Sequence, residues 1–235
     1  MKEAGLLLQY EPPGSADIIN TLDGSEGYFI PARLGTMGIA YNTDLISTAP
    51  AAWQDLCGEA FRDGFAIADP TASGTAMMAV VLLHEAFGEG FFHELRANGA
   101  YIGGGSSQVV RAVADGEATA CLAVDYITFD LRASGSPIAI AFPPELIVIP
   151  SPVAIFRDSP NEAAAKLFAS YLITVEAQLI IAASGTLPAL ADMSMSGEYN
   201  LPTVSEAMTR AIDIDDADMM NWKDGVVAAF MAVFQ

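Results

Sequence analysis

Phe65-Ala66-Ile67-Ala68-Asp69-Pro70-Thr71-Ala72-Ser73-Gly74-Thr75 sets the pattern of the chain: a short apolar run of strand type, then small hydroxyl residues and glycine, then a helical stretch over 75–87. The same order returns twice. Tyr101-Ile102 leads through Gly103-Gly104-Gly105-Ser106-Ser107 into a helix over 107–115 stopped by Gly116. Ala120-Cys121-Leu122-Ala123-Val124 leads through Asp125-Tyr126 into a helix over 127–133 stopped by Gly135. A further helix over 90–98 and a strand over 138–142 complete the series. Strands alternating with helices make βαβ units, so residues 65 to 142 predict an α/β lobe on a largely parallel sheet.

In open α/β sheets the ligand crevice lies beyond the carboxyl ends of the strands, so the three polar turns are expected to converge. Ser, Thr and Gly ahead of a helix leave backbone N–H groups pointing outward at the positive end of the helix dipole, a seat for phosphate, phosphonate or carboxylate. Each helix start contributes about 0.3 to 1 kcal/mol to a nearby anion. The same residue types are also the ordinary caps and turn formers of any helix, so the pattern admits both readings.

Outward from this section the chain turns helical. Ile147 to Phe156, broken by Pro150 and Pro152, reads as an edge or crossing strand. Ser159-Pro160-Asn161-Glu162 reads as a helix start with Ser159 as cap and Pro160 at the first position. Thr174 caps a second helix that Gly185 ends, and helices over 203–212 and 217–234 follow. Asp213, Asp215, Asp216 and Asp218 lie between these two; lacking the glycine and the closing Glu of a calcium loop, they read as acidic residues at a helix start.

The 235 residues carry 10 Lys plus Arg against 29 Asp plus Glu, a net charge of -19, which argues against nucleic acid or anionic lipid as partners. With 52% apolar and 17% charged residues the chain has ample material for a core. The longest apolar runs, over 76–83 and 226–234, fall short of the roughly 18 to 20 residues of a membrane span. The opening residues, with one Lys and a short apolar run, are not expected to act as an export signal. Cys57 and Cys121 make neither a disulfide framework nor a metal-ligand spacing, and Cys121 is expected to be a buried thiol.

Five stretches taken together carry a family resemblance: Gly35-Thr36-Met37-Gly38-Ile39-Ala40-Tyr41-Asn42-Thr43-Asp44-Leu45, Trp53-Gln54-Asp55-Leu56, Ala68-Asp69-Pro70-Thr71-Ala72-Ser73-Gly74-Thr75, Ala112-Val113-Ala114-Asp115-Gly116-Glu117-Ala118 and Ile149-Pro150-Ser151-Pro152-Val153-Ala154-Ile155. In that order and spacing the chain resembles the extracellular (periplasmic) solute-binding proteins of ABC importers, in the type II branch that includes ferric-iron, phosphonate and sugar-phosphate binders. The resemblance implies an α/β fold of two lobes joined by crossing strands, a cleft that closes on a solute, and delivery to a membrane permease. It implies no cofactor. The proximal lobe would be residues 1–44 and 151–235, the distal lobe residues 45–150, and the crossing strands Met37 to Asn42 and Val153 to Phe156.

Carried over on the same terms, the ligand shell would comprise Ser73, Gly74, Thr75, Ser106, Ser107, Asp125 and Tyr126, with Arg33 either a cation near the cleft or a surface residue. Ferric-iron members of the family commonly use two adjacent tyrosines, whereas Asp125-Tyr126-Ile127 supplies one, and His84 and His93 fall in helices away from the strand ends. A small organophosphate or phosphonate is therefore the expected ligand, with Asp125 accepting from a hydroxyl or ammonium; ferric iron, or a non-functional paralogue, is the alternative. No G-x-S-x-G elbow or neighbouring His accompanies the serines, so catalysis is not expected. The family's opening strand, Ser/Gly turn and helix have no counterpart here. The first lobe is accordingly expected to be incomplete, with apolar helix faces left open to self-association.

Overall fold

The computed structural model describes residues 1–19, 25–190, 193, 197–214 and 216–235. Strands β1 (Leu7–Leu8), β2 (Ile30–Asn42), β3 (Phe65–Ile67), β4 (Tyr101–Ile102), β5 (Ala120–Val124), β6 (Ile138–Ala141), β7 (Ile147–Val153), β8 (Ile155–Phe156) and β9 (Leu187–Pro188) alternate with helices. These are α1 (Gly74–Ala97), α2 (Ser106–Ala114), α3 (Asp125–Ala133), α4 (Glu162–Leu172), α5 (Val175–Ala183), α6 (Val204–Arg210) and α7 (Asp216–Phe234). The chain divides into a middle unit, Thr36–Ile149 with Arg210–Gln235, and an outer unit, Met1–Gly35 with Pro150–Thr209.

The middle unit is built on strand alternation. Large residues Met37, Ile39, Ile67, Leu122 and Val124 face one side of the sheet and join the core with Trp53, Phe92 and Phe230; Ala40, Ala66, Ala68, Cys121 and Ala123 face the other and meet Val109, Val110 and Val113 of α2. Small residues on that face let α2 approach closely, and the aromatic face takes α1 and α7. Phe92 meets Phe230 edge-on at 5.0 Å, and Phe230 stacks on Phe234 at 4.6 Å. The last helix, which the sequence places with the outer segments, thus packs into the middle unit because its aromatic residues complete that core. Cys121 is buried on the opposite face, against α2, and burial pushes its thiol well up.

The sheet order is β4-β3-β5-β2-β6. β3 runs parallel to β4 and β5, whereas β2 is antiparallel to β5 and to β6, so the expected parallel sheet is interrupted by one reversed strand. Gly38 permits this insertion: a Cβ there would collide with the Ala141 carbonyl oxygen of β6. The two helices expected over 75–87 and 90–98 follow one another directly as α1, broken at Gly88 with φ 73° and ψ 177°. By length and composition alone α1 would suffice to cross a membrane, but its Ala79 to Leu83 and Phe91-Phe92 are core residues of the middle unit. The acidic cluster before α7 includes Asp215, which lies outside the described residues.

Among the described residues of the outer unit, Ile30, Ile155, Ala169 and Ile173 form one buried cluster, flanked by Leu8, Tyr10, Ile18 and Val153, and Leu34, Leu187 and Val204 are buried as well. β1 pairs antiparallel with β8, and β9 with the first half of β2. Buried Gln178 of α5 ties these parts together, donating to the Ala32 and Leu172 carbonyls at 2.8 and 2.7 Å and accepting from the Ala189 N–H at 2.6 Å. α5 starts at Thr174, whose hydroxyl accepts from the Ala177 N–H, and ends before Gly185 in the left-handed region, as its sequence predicts. α4 does not follow its sequence signal. It begins at Glu162 after Asn161, and Ser159 instead holds the preceding turn through the Asn161 N–H. Leu167, Phe168 and Tyr171 of α4 and Val175, Leu179 and Ile180 of α5 are exposed.

Candidate ligand-binding site

The three strand ends read from the sequence do converge. A recess of about 300 Å³ in the middle unit is lined by Ala72, Ser73 and Thr75 from the start of α1, Gly105 to Gln108 from the start of α2, and Val124, Tyr126 and Ile127 from the start of α3. Parallel pairing of β3 with β4 and with β5 sets these ends side by side.

At its centre are three hydroxyls. Ser73 Oγ lies 2.9 Å from Ser106 Oγ and 3.0 Å from Thr75 Oγ1, and Thr75 Oγ1 lies 3.3 Å from Ser106 Oγ. Ser73 also caps α1, accepting from the Ala76 N–H at 3.3 Å. The turn that presents it is held by Asp69. The hydroxyl and N–H of Thr71 donate to the Asp69 carboxylate at 2.6 and 2.7 Å, keeping it below the usual carboxylate range. Gln108 closes the α2 turn in the same manner, its Oε1 accepting from the Gly105 N–H at 2.8 Å. The first N–H groups of α1 and α2 have no carbonyl one turn back, so both helices present donors and dipole ends where the hydroxyls cluster. This arrangement suits a tetrahedral oxyanion, which can accept from hydroxyls free to rotate toward it.

Of the residues expected in the ligand shell, Ser73, Thr75, Ser106, Ser107 and Tyr126 line the recess, and Gly74 opens α1 beside them. Asp125 does not line it. Its carboxylate is fully buried, with Oδ2 accepting from both the N–H and the hydroxyl of Thr36 at 2.8 Å and Oδ1 from the Tyr126 N–H at 2.6 Å. The antiparallel register, which sets Met37 opposite Val124, brings Thr36 to Asp125. Nothing in the local sequence marks Thr36 for this, because the partners are 89 positions apart. Arg33 belongs to the outer unit, where it pairs with Pro188 in the β2–β9 ladder and donates to Thr186 Oγ1 at 3.3 Å. Gln108 was not foreseen; a glutamine three residues after the Gly105 cap is the signal for it.

Three turns of hydroxyls and helix starts gather at the carboxyl edge of an α/β sheet, and the chain belongs to the bacterial extracellular solute-binding proteins, whose family model matches residues 1–219. A relative in Salmonella typhimurium, described as a "Putative 2-aminoethylphosphonate-binding periplasmic protein", is 23% identical, the match covering 91% of this chain. The chain spans 66% of that relative's length. Among solved structures, the periplasmic binding protein P5PA superposes with a TM-score of 0.76 at 20% identity, covering 100% of this chain and 79% of its own. Iron-bound HitA from Pseudomonas aeruginosa gives 0.78 at 21% identity, with 100% and 78% covered. AfuA from Actinobacillus pleuropneumoniae, solved with fructose-6-phosphate, gives 0.73 at 20% identity, with 99% and 78% covered. These likenesses establish the type II periplasmic-binding-protein fold.

Proposed function

We propose that the chain is the periplasmic substrate-binding component of an ABC importer, that it takes a small organophosphate or phosphonate at the Ser73–Thr75–Ser106 recess, and that it passes this solute to a membrane permease. The hydroxyl triad at the α1 and α2 starts carries the reading: it offers several donors to one anion without a cation. Ser107 and the amide of Gly74 extend the donor set, and Tyr126 provides a half-exposed phenol on the far wall. Among the described residues the lining of the recess is hydroxyl, amide and apolar groups, a set suited to holding an anion. The matched relative's name supports a phosphonate over other anions.

The Tyr126 phenol also favours a second reading, ferric iron, for which an exposed phenolate is a suitable hard ligand. A thermal-shift panel of 2-aminoethylphosphonate, methylphosphonate, sugar phosphates, inorganic phosphate and ferric iron separates the two, because a ligand of the native state raises stability by mass action. A rise with the phosphorus oxyanions that disappears in Ser73→Ala supports the first reading. A rise with iron alone, abolished by Tyr126→Phe, replaces it.

A further inference from the structure

The chain passes between its two units at Gly35–Thr36, Ile149–Pro150 and Thr209–Arg210. On the middle-unit side two of these crossings begin with a residue pinned by its side chain. Thr36 gives its N–H and its hydroxyl to Asp125 Oδ2, each at 2.8 Å. Arg210 gives its guanidinium to the carbonyls of Phe142, Pro143 and Pro144 at 3.0, 2.7 and 3.3 Å.

Only the first pin reaches the recess. Asp125 precedes Tyr126, whose N–H donates to the other oxygen of the same carboxylate while its side chain lines the recess. A buried carboxylate held by such donors does not slide freely, since each lost donor leaves buried charge uncompensated. Asp125 thus joins the first turn of α3, which carries Tyr126, to Thr36, the residue that follows Gly35.

We infer that the Thr36–Asp125 pair is a positioning element that couples ligand occupancy of the recess to the crossing segment Ile30–Gly35, and that the Arg210 pin fixes its own crossing independently of ligand. The inference rests on the reading of the recess as the ligand seat.

Hydrogen exchange on the full chain, with and without saturating 2-aminoethylphosphonate, and in parallel with inorganic phosphate, tests it. In the parent, either probe is expected to slow exchange at the starts of α1 and α2 and also across residues 30–35. In Thr36→Val the recess is still protected but residues 30–35 no longer respond, and affinity falls by roughly 5- to 150-fold, the usual span of coupling free energies. Thr36→Ser, which keeps the hydroxyl, restores both effects. Arg210→Gln retains the response of residues 30–35. Should Thr36→Val not fold, Asp125→Asn carries the same comparison, because the amide keeps the shape and loses the second strong acceptor.

Persistent protection of residues 30–35 in Thr36→Val, or its loss in Arg210→Gln to the same degree, overturns the coupling. Protection of the recess without any response at residues 30–35 in the parent does so as well while leaving the ligand reading intact. No protection of the parent by either probe overturns that reading and the coupling with it.

Discussion

The middle and outer units spend their apolar residues differently. In the middle unit the buried core is aromatic: Trp53 and Phe92 fill one face of the sheet and Phe230 closes it from α7, while Tyr101, Tyr126 and Trp222 stay exposed. In the outer unit the buried apolar residues described, Ile30, Leu34, Ile155, Ile173 and Leu187 among them, are aliphatic, while Phe168 on α4 is 60% exposed and Leu167 is 73% exposed. Helical propensity forms α4, and propensity with the Thr174 cap forms α5, but burial fixes only one side of each. The contrast separates two uses of apolar side chains in this molecule, packing the sheet that carries the hydroxyl recess in one unit and presenting open surface in the other.

The sharpest way to break that contrast is to remove one aromatic residue from each side. Phe230→Ala empties a fully buried site between Phe92 and Phe234 and is expected to lower unfolding free energy by about 3 to 5 kcal/mol. Phe168→Ala takes an exposed ring from α4 and is expected to change it by no more than about 0.5 kcal/mol. Urea denaturation followed by circular dichroism measures both. Equal losses would mean that the α4 face is covered in solution, and a negligible loss at Phe230 would detach α7 from the middle unit.

The sequence announced the middle unit well because its determinants are local. Each strand end is followed within a few residues by its own cap, so Ser73, Thr75 and Ser106 could be placed at one edge before any contact was known. Asp125 shows where local reading stops. A carboxylate at a helix start next to a tyrosine looks like a ligand group, and only the pairing of β2 with β5 shows it committed to Thr36. The reversed strand β2 escaped for the same reason, since strand direction is set by partners far along the chain. At α4, Ser159-Pro160 mimics a helix start that the fold moves to Glu162. The packing of α7 was illegible too, because an apolar helix does not name the sheet face it will cover.

Within the middle unit the site and the core are separable, which the hydroxyl triad tests at an intermediate scale. Ser73→Ala combined with Ser106→Ala removes two of its three hydroxyls and the α1 cap. Titration calorimetry is expected to show at least about a tenfold loss of affinity for 2-aminoethylphosphonate, equivalent to about 1.4 kcal/mol. The lost cap lowers stability by about 1 kcal/mol. Unchanged affinity would reduce the triad to ordinary capping, and a stability loss as large as that of Phe230→Ala would show that site and core are one.

The smallest effect lies where the middle unit is only partly closed. Cys57 is half-buried beside Glu94, and burial first, then the neighbouring carboxylate, pushes its thiol from 9.0 up to about 11. The unfolded chain gives up this proton as pH passes 9.0 while the folded chain keeps it to about 11, so the thiol's contribution is intact below 9.0 and declines across that window. Cys57→Ala removes this part of the alkaline decline, so between pH 8 and 11 the parent's melting temperature should fall relative to that of the variant. Parallel pH profiles would mean that Cys57 meets water and Glu94 no differently in the folded and unfolded chain. The half-buried rim at Cys57 would then resemble the open helices of the outer unit more than the core beside it.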